Sequence, residues 1–417
     1  MTNISQSIST FIDEHFDAEC AFLAELVKVP SDNPPGDCVA HAHRAQALLD
    51  GLGFDVEAYP VPDGLVYANG MVSATNLVVR QKFGTGGPVI ALNAHGDVVP
   101  PGAGWTHDPY GAEIVDDGNG KAMFGRGVAV SKSDFATYAF ALLALRALAA
   151  SGVKLNGGIE LQLTYDEEAG GEIGPKWLLD QGLSKATFAL SAGFSYAVVT
   201  AHNGCLHLEV IVHGKQGHAA MPERGVDAIA AATQILTAIY ASRDALKSRK
   251  SKTAGIEHPT INVGLIEGGI NTNVVPDRVS FRIDRRIIPE ESPAEAEAEL
   301  RALIQAAADR IPGVHIEIKR ILLSLPLVKL PGAEKLTEAL QARGREFFGV
   351  DIAEHGVPIY TDARHYTAAG IPAVLYGAGP RTLAEANGHS ADENVRVEDL
   401  RRATKTVAAT LADLLGA

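Results

Sequence analysis

Cysteine is scarce in this 417-residue chain: Cys20, Cys38 and Cys205 are the only thiols. Three of them, odd in number and far apart, exclude a disulfide framework and a zinc ribbon. Positive charge is also in deficit, with 36 Lys+Arg against 50 Asp+Glu and a formal net charge of −14. That is the wrong sign for a broad nucleic-acid or anionic-lipid surface, so neither nucleic acid nor a membrane is an expected partner. No stretch reaches about 18 consecutive apolar residues, the length a membrane span requires. The opening MTNISQSIST lacks a basic segment followed by an apolar run, so no secretory signal is read and a cytoplasmic location is expected. Internal repeats and low-complexity segments are missing. The one run of like charge, five cations from Arg243 to Lys252, reads as a solvated helix end and loop.

What is present is ordinary globular material: 46% hydrophobic and 21% charged residues, enough to bury a core. The length suggests two or three domains at roughly 100–200 residues each. Helical periodicity runs over 7–28 and 40–52, and a long apolar helix is expected at 132–151. Strands are expected at 75–81, 88–93, 158–165 and 187–191, with a helix near 172–182. This alternation predicts an α/β domain with a mostly parallel sheet covered by helices. From 204 to 325 the order becomes strand, helix, strand, strand, helix, strand, which is the split arrangement of a ferredoxin-like α+β domain. The α/β pattern resumes after Pro326, with helices at 333–348 and 397–415. The chain therefore reads as one discontinuous domain, 1–203 and 326–417, interrupted by an inserted domain, 204–325.

Chemistry-bearing residues gather at strand ends, where parallel sheets place their sites. His95 and Asp97 follow the apolar strand 88–93 and, two residues apart, point to one side of an extended backbone. A histidine there can ligate a metal while the aspartate orients it. Asp166-Glu167-Glu168 follow another apolar strand; three successive acids repel one another unless a cation compensates. One carboxylate as ligand with its neighbour as general base would resolve that repulsion. Asn387-Gly388-His389 precede the last helix. His218 lies at a strand-to-helix turn of the inserted domain, and Asn273-Val274-Val275-Pro276 precede Asp284-Arg285-Arg286.

In order and spacing these elements resemble the metallopeptidase clan MH group that contains acetylornithine deacetylase, succinyl-diaminopimelate desuccinylase, aminoacylase and carboxypeptidase G. The resemblance extends over nearly the whole chain. It includes Ser31 to Gly36, Trp105 to Pro109, Phe124-Gly125-Arg126-Gly127, Gly214 to His218 and Thr361-Asp362-Ala363-Arg364. It implies a metallohydrolase catalytic domain and an inserted lid and dimerisation domain. The metal ligands it implies are His95, Glu168 and His389, with Glu167 as general base and Asp97 as its partner. His218 would reach the site of the other subunit of a homodimer to stabilise an oxyanion, while Asn273 and Arg286 hold an anionic group of the substrate.

Two ligand positions of that group carry no acid here. The aspartate that bridges two metals, third after Gly-Arg-Gly, is Val130, and the nearest acid, Asp134, lies inside the next helix. The glutamate after the strand 187–191 is replaced by the stretch Ser191-Ala192-Gly193-Phe194. Two divalent ions held by Glu168 and a hydroxide alone would leave an uncompensated charge in a partly dry cleft, whereas one ion would be neutralised. One divalent transition metal (Zn, Mn or Co) per site is therefore expected, in a two-His, one-carboxylate set. Whether His107, His202 or His365 replaces a missing ligand stays open. The function expected is hydrolysis of a C–N bond, most simply an amide of a small carboxylate-bearing substrate. Two alternatives stand beside it. One is release of ammonia from an aromatic amine, in a pocket near Trp105, Tyr110, Phe194 and Tyr196. The other is a non-catalytic binding or scaffold protein.

Overall fold

The structure, a computed structural model, describes residues 4–417. The chain divides into two compact units. One holds the N-terminal portion to Thr200 with Lys329–His355 and Thr361–Ala417, and the other holds Ala201–Val328 with Gly356–Tyr360. The short segment Gly356–Tyr360 thus belongs with the inserted unit, where sequence reading had placed it in the flanking one.

The first unit is built on an eight-stranded sheet. Its order is Val56–Pro60, Thr75–Phe83, Gly157–Thr164, Val89–His95, Phe188–Ser191, Ala373–Leu375, Ala197–His202, Ala353–Val357. The four strands from Gly157–Thr164 to Ala373–Leu375 run parallel. The strands flanking them pair antiparallel. The expected mostly parallel sheet therefore holds for the centre, and the whole is mixed. Helices cover both faces of the centre, and every residue of Gly157–Thr164 is buried, Glu160 and Gln162 included. Helix Lys132–Ala150 is long and apolar enough, by length and composition, to cross a membrane. Here it is a core helix, with Phe135, Tyr138, Phe140, Leu142 and Leu145 at most 1% exposed. A small sheet that sequence reading missed, Asn394–Arg396, Lys121–Phe124 and Glu113–Asp116, places the late loop beside the Gly125-Arg126-Gly127 turn.

The second unit has the predicted strand–helix–strand–strand–helix–strand order. Its antiparallel sheet runs Thr260–Gly268, Arg278–Ile287, Gly204–His213, His315–Ser324. Asp227 caps helix Ala228–Leu246 by accepting from the Ile229 and Ala230 amides, each at 2.9 Å. Ser292, followed by Pro293 at the first helical position, starts helix Pro293–Ala308. Both helices cover one sheet face through Leu206, Leu208, Val210, Phe281 and Ile283. A separate ribbon pairs Gly217–His218 with Val274–Val275.

Candidate active site

His95 ends the central strand Val89–His95, and the chain turns at Gly96. A Cβ at Gly96 would lie 2.5 Å from the Tyr165 ring, so only glycine lets the turn pack there. Asp97 is fully buried and organises both halves of the site. Its backbone oxygen lies 2.9 Å from His95 Nδ1 and its Oδ1 3.5 Å from the same nitrogen. Its carboxylate accepts from the Glu167 amide (3.3 Å), the Glu168 amide (3.2 Å) and Asn33 Nδ2 (2.9 Å). One aspartate thus fixes the imidazole and the backbone of the two glutamates together.

The Glu167–Glu168 turn begins at Asp166, whose φ of 144° is unusual for a residue with a side chain. Asp166 Oδ2 accepts from the Ile173 amide at 2.6 Å, holding the turn back against the strand end. Ligand atoms of His95, Glu167 and Glu168 all lie within 4.8 Å of one another. His389 Nε2 is 3.3 Å from Glu168 Oε1. His389 has φ 61°, and Asn387 and Asp392 nearby are also left-handed, so this loop is shaped to present one side chain. The structure therefore brings together His95, Asp97, Glu167, Glu168 and His389.

The charges are mutually compensating. Burial alone would depress His95, but the Asp97 bond and the carboxylates of Glu167, Asp97 and Glu168 hold its pKa well above the usual histidine range. Burial drives Glu167 well up, against His95 and with Glu168. Glu168 raises His389, against the effect of its partial burial. Protons are thus held where the acids crowd, and this donor set of imidazoles and carboxylates fits a divalent cation in their place.

Around the two positions without acids, other bonds have formed. The Ala129 and Val130 amides donate to Glu393 Oε1 (3.0 and 3.2 Å), and Glu393 Oε2 pairs with Arg126 at 2.6 Å in a buried ion pair. Asp134 Oδ1 accepts from the Gly193 amide (3.3 Å) and the Ala378 amide (2.9 Å), and burial pushes this carboxyl up to about 7. A Cβ at Gly193 would sit 2.7 Å from Leu375 Cβ and 2.8 Å from the Tyr376 nitrogen, so no side chain fits.

Among the described residues, neither cluster of three metal-ligating groups contains His107, His202 or His365. His107 bonds Glu113 and stacks on Phe124. His202 lies beside the Asn203 carbonyl. His365 is buried against Gly171 beside Asp362. The aromatic residues expected to line a pocket have other engagements: Tyr110 bonds Asp32, and Tyr196 bonds Asp399 and packs on Phe348. Sequence reading gave Glu393 and Asp362 no role, yet both are buried acids beside the site. Neither Asp362 oxygen accepts a hydrogen bond, and burial pushes its carboxyl up to about 6.

In the second unit His218 is exposed on the ribbon, its Nδ1 accepting from the Ala220 amide at 3.0 Å. Nε2 then carries the proton and is a donor. Asn273 lies alongside, its carbonyl accepting from the Ala219 amide. Arg286 sits instead on the sheet, bonded to both Asp284 oxygens at 2.9 and 3.0 Å.

The sequence profile of peptidase family M20/M25/M40 matches residues 91–413. An acetylornithine deacetylase of Myxococcus xanthus is 30% identical over 377 residues, 89% of this chain and 91% of that protein. Two solved structures share the fold. An M20 family metallo-carboxypeptidase of Sulfolobus solfataricus has a TM-score of 0.75 at 17% identity, covering 94% of this chain and 98% of that one. A dinuclear metal-binding M20 peptidase of Bacillus subtilis has a TM-score of 0.67 at 17% identity, covering 97% and 99%.

Proposed function

The chain belongs to peptidase family M20/M25/M40, and from that premise we propose that it hydrolyses an amide bond in a small carboxylate-bearing substrate with one divalent metal per site. The observation that carries this reading is the convergence of His95, Glu167, Glu168 and His389 around the buried Asp97. His95, Glu168 and His389 would hold a divalent transition metal (Zn, Mn or Co), which supplies Lewis acidity to water and to the substrate carbonyl. Glu167 takes a proton from the attacking water and returns it to the leaving nitrogen, a role suited to a carboxyl that burial holds well above the usual carboxylate range. Asp97 orients His95 and the Glu167–Glu168 backbone. His218 of a neighbouring subunit in a homodimer donates from Nε2 to the developing oxyanion. Asn273 supplies an amide to the substrate, and Arg286 pairs with its carboxylate using the N–H groups that Asp284 leaves over.

The single-metal reading departs from the dinuclear Bacillus subtilis neighbour. It is supported by the absence of room for a side chain at Gly193. The aromatic-amine alternative gains nothing from the fold, since Tyr110 and Tyr196 are bonded elsewhere. The test is metal content per chain after loading with Zn, Mn and Co separately, joined to turnover of N-acyl amino acids and dipeptides. A content near one, lost in His389→Ala, is expected. Glu167→Gln should lower kcat by at least about 100-fold with metal retained. A content near two overturns the single-metal reading. A content of zero, or no amide turnover by the loaded protein, overturns the hydrolase.

A further inference from the structure

The second unit carries another group of metal-ligating side chains, on the sheet face away from its helices. Cys205 and His207 are two apart on strand Gly204–His213 and so share a face. Asp284 lies directly opposite His207, and Arg286 opposite Cys205, on strand Arg278–Ile287. Alternation sends Leu206, Leu208 and Ile283 to the helices and leaves these four polar groups on the other side. Cys205 Sγ is 3.2 Å from His207 Nε2, and the same nitrogen is 3.1 Å from Asp284 Oδ2. The three ligand atoms lie within 4.8 Å of one another.

We propose that Cys205, His207 and Asp284 form a binding site for a thiolate-preferring divalent cation of the zinc class. Tetrahedral zinc, with a Zn–S bond of about 2.3 Å and Zn–N and Zn–O bonds of about 2.0 Å, sets S···N at about 3.5 Å and N···O at about 3.3 Å. The observed 3.2 and 3.1 Å need only a few tenths of an ångström of opening. The metal takes Asp284 Oδ2 in exchange for that oxygen's 3.0 Å bond from Arg286 Nη2, while Oδ1 stays bonded to Arg286 Nε at 2.9 Å, so the guanidinium becomes the outer partner that orients the carboxylate. A buried hydroxyl next to the thiol points the same way. Ser324 stands opposite Cys205 on the third strand, and its Oγ, buried, has no hydrogen-bond partner. A water completing the coordination would give it one.

Charge balances on loading. Bound as a thiolate, Cys205 joins the Asp284 carboxylate in offsetting one divalent cation, with His207 as a neutral imidazole ligand. The thiolate discriminates against magnesium, calcium and manganese. His95, Glu168 and His389 contribute no ligand, so this site and the proposed catalytic metal can be told apart.

Cobalt(II) is the probe. Stripped full-length protein titrated with cobalt should develop a near-ultraviolet thiolate-to-cobalt charge-transfer band that saturates at about one equivalent of chromophore per chain. Excess zinc should remove it. His389→Ala should keep the band even if catalytic metal binding or hydrolysis fails, because no sulfur lies among those ligands. Cys205→Ser should abolish it. If that buried substitution prevents folding, His207→Gln should weaken cobalt binding by at least about tenfold. The site is overturned by no band at saturating cobalt, or by a band that persists in Cys205→Ser and so belongs to another thiol.

Discussion

Replacing Asp97 with asparagine should damage fold and metal affinity together, because one carboxylate serves both. Asp97 is 0% exposed. Oδ2 receives Asn33 Nδ2 at 2.9 Å and the Glu168 amide at 3.2 Å, while Oδ1 receives the Glu167 amide at 3.3 Å and faces His95 Nδ1 at 3.5 Å. Asparagine keeps the size but turns one acceptor into a donor. Whichever way its amide is oriented, an NH2 group confronts buried N–H donors. Hydrogen bonds to a charged group contribute about 1.5–3 kcal/mol each, and leaving donors unpaired adds to the loss. The expected destabilisation is about 3–5 kcal/mol, comparable to breaking a buried ion pair. The loss of orientation at His95 and at the two glutamates should weaken metal binding by about 10–100-fold. The His95 bond to the Asp97 backbone oxygen survives, so the change isolates the carboxylate. Urea unfolding monitored by circular dichroism gives the first quantity, and competition against a chelator of known affinity gives the second. A variant within about 1 kcal/mol of wild type and unchanged in metal affinity would refute the role assigned to Asp97.

Glu19→Gln should stabilise the protein increasingly as pH rises from about 4.5 to about 8. Burial lifts the Glu19 carboxyl to about 8 against its Thr404 bond and Arg401, so the folded state binds a proton the unfolded chain has released, and wild-type stability falls through that window. The gain at pH 7 is on the order of 3 kcal/mol; unfolding curves of the two proteins that stay parallel from pH 4 to 9 would contradict it. Gly193→Glu should destabilise by about 1–3 kcal/mol through overpacking against Leu375 and Tyr376 and should add no second metal. Val130→Asp should likewise leave metal content near one per chain. A second equivalent bound tightly by Val130→Asp alone would remove the charge-balance basis for a mononuclear site.

Much of this was legible in the sequence because it followed from periodicity. Val89–His95, a largely apolar run, ends in His95, and Gly157–Thr164, where Ile159, Leu161 and Leu163 alternate with Glu160 and Gln162, leads into the Asp166–Glu168 acids; the sheet brings those ends together because the strands are parallel neighbours in register, His95 opposite Thr164. The inserted unit was readable from its strand and helix order alone. What escaped was set by distant partners. Glu113–Asp116 and Asn394–Arg396 are too short to stand out without the apolar run that marks the similarly short Phe188–Ser191. The sheet edges turn antiparallel through pairings no local pattern announces. The resemblance gives Arg286 an anionic group of the substrate to hold, yet Asp284, two before it on the same strand face, already binds it at two points.

Val130 and Gly193, where the resemblance leads one to expect acids, show how far such a departure can be interpreted physically. A bare loss of ligands would leave Val130 and Gly193 in surroundings still shaped for a carboxylate. Instead, a different buried acid takes the backbone amide at each position: Glu393 at Val130 and Asp134 at Gly193. Each of those acids also holds a further group, the Arg126 side chain of the same turn in one case and the Ala378 amide of a distant segment in the other. Restoring a glutamate at 193 would have to displace the Leu375–Tyr376 backbone, which belongs to the sheet end itself. That wall is packed in its own right, which is why a side chain added there should fail to recruit a second metal beside the one proposed for His95, Glu168 and His389.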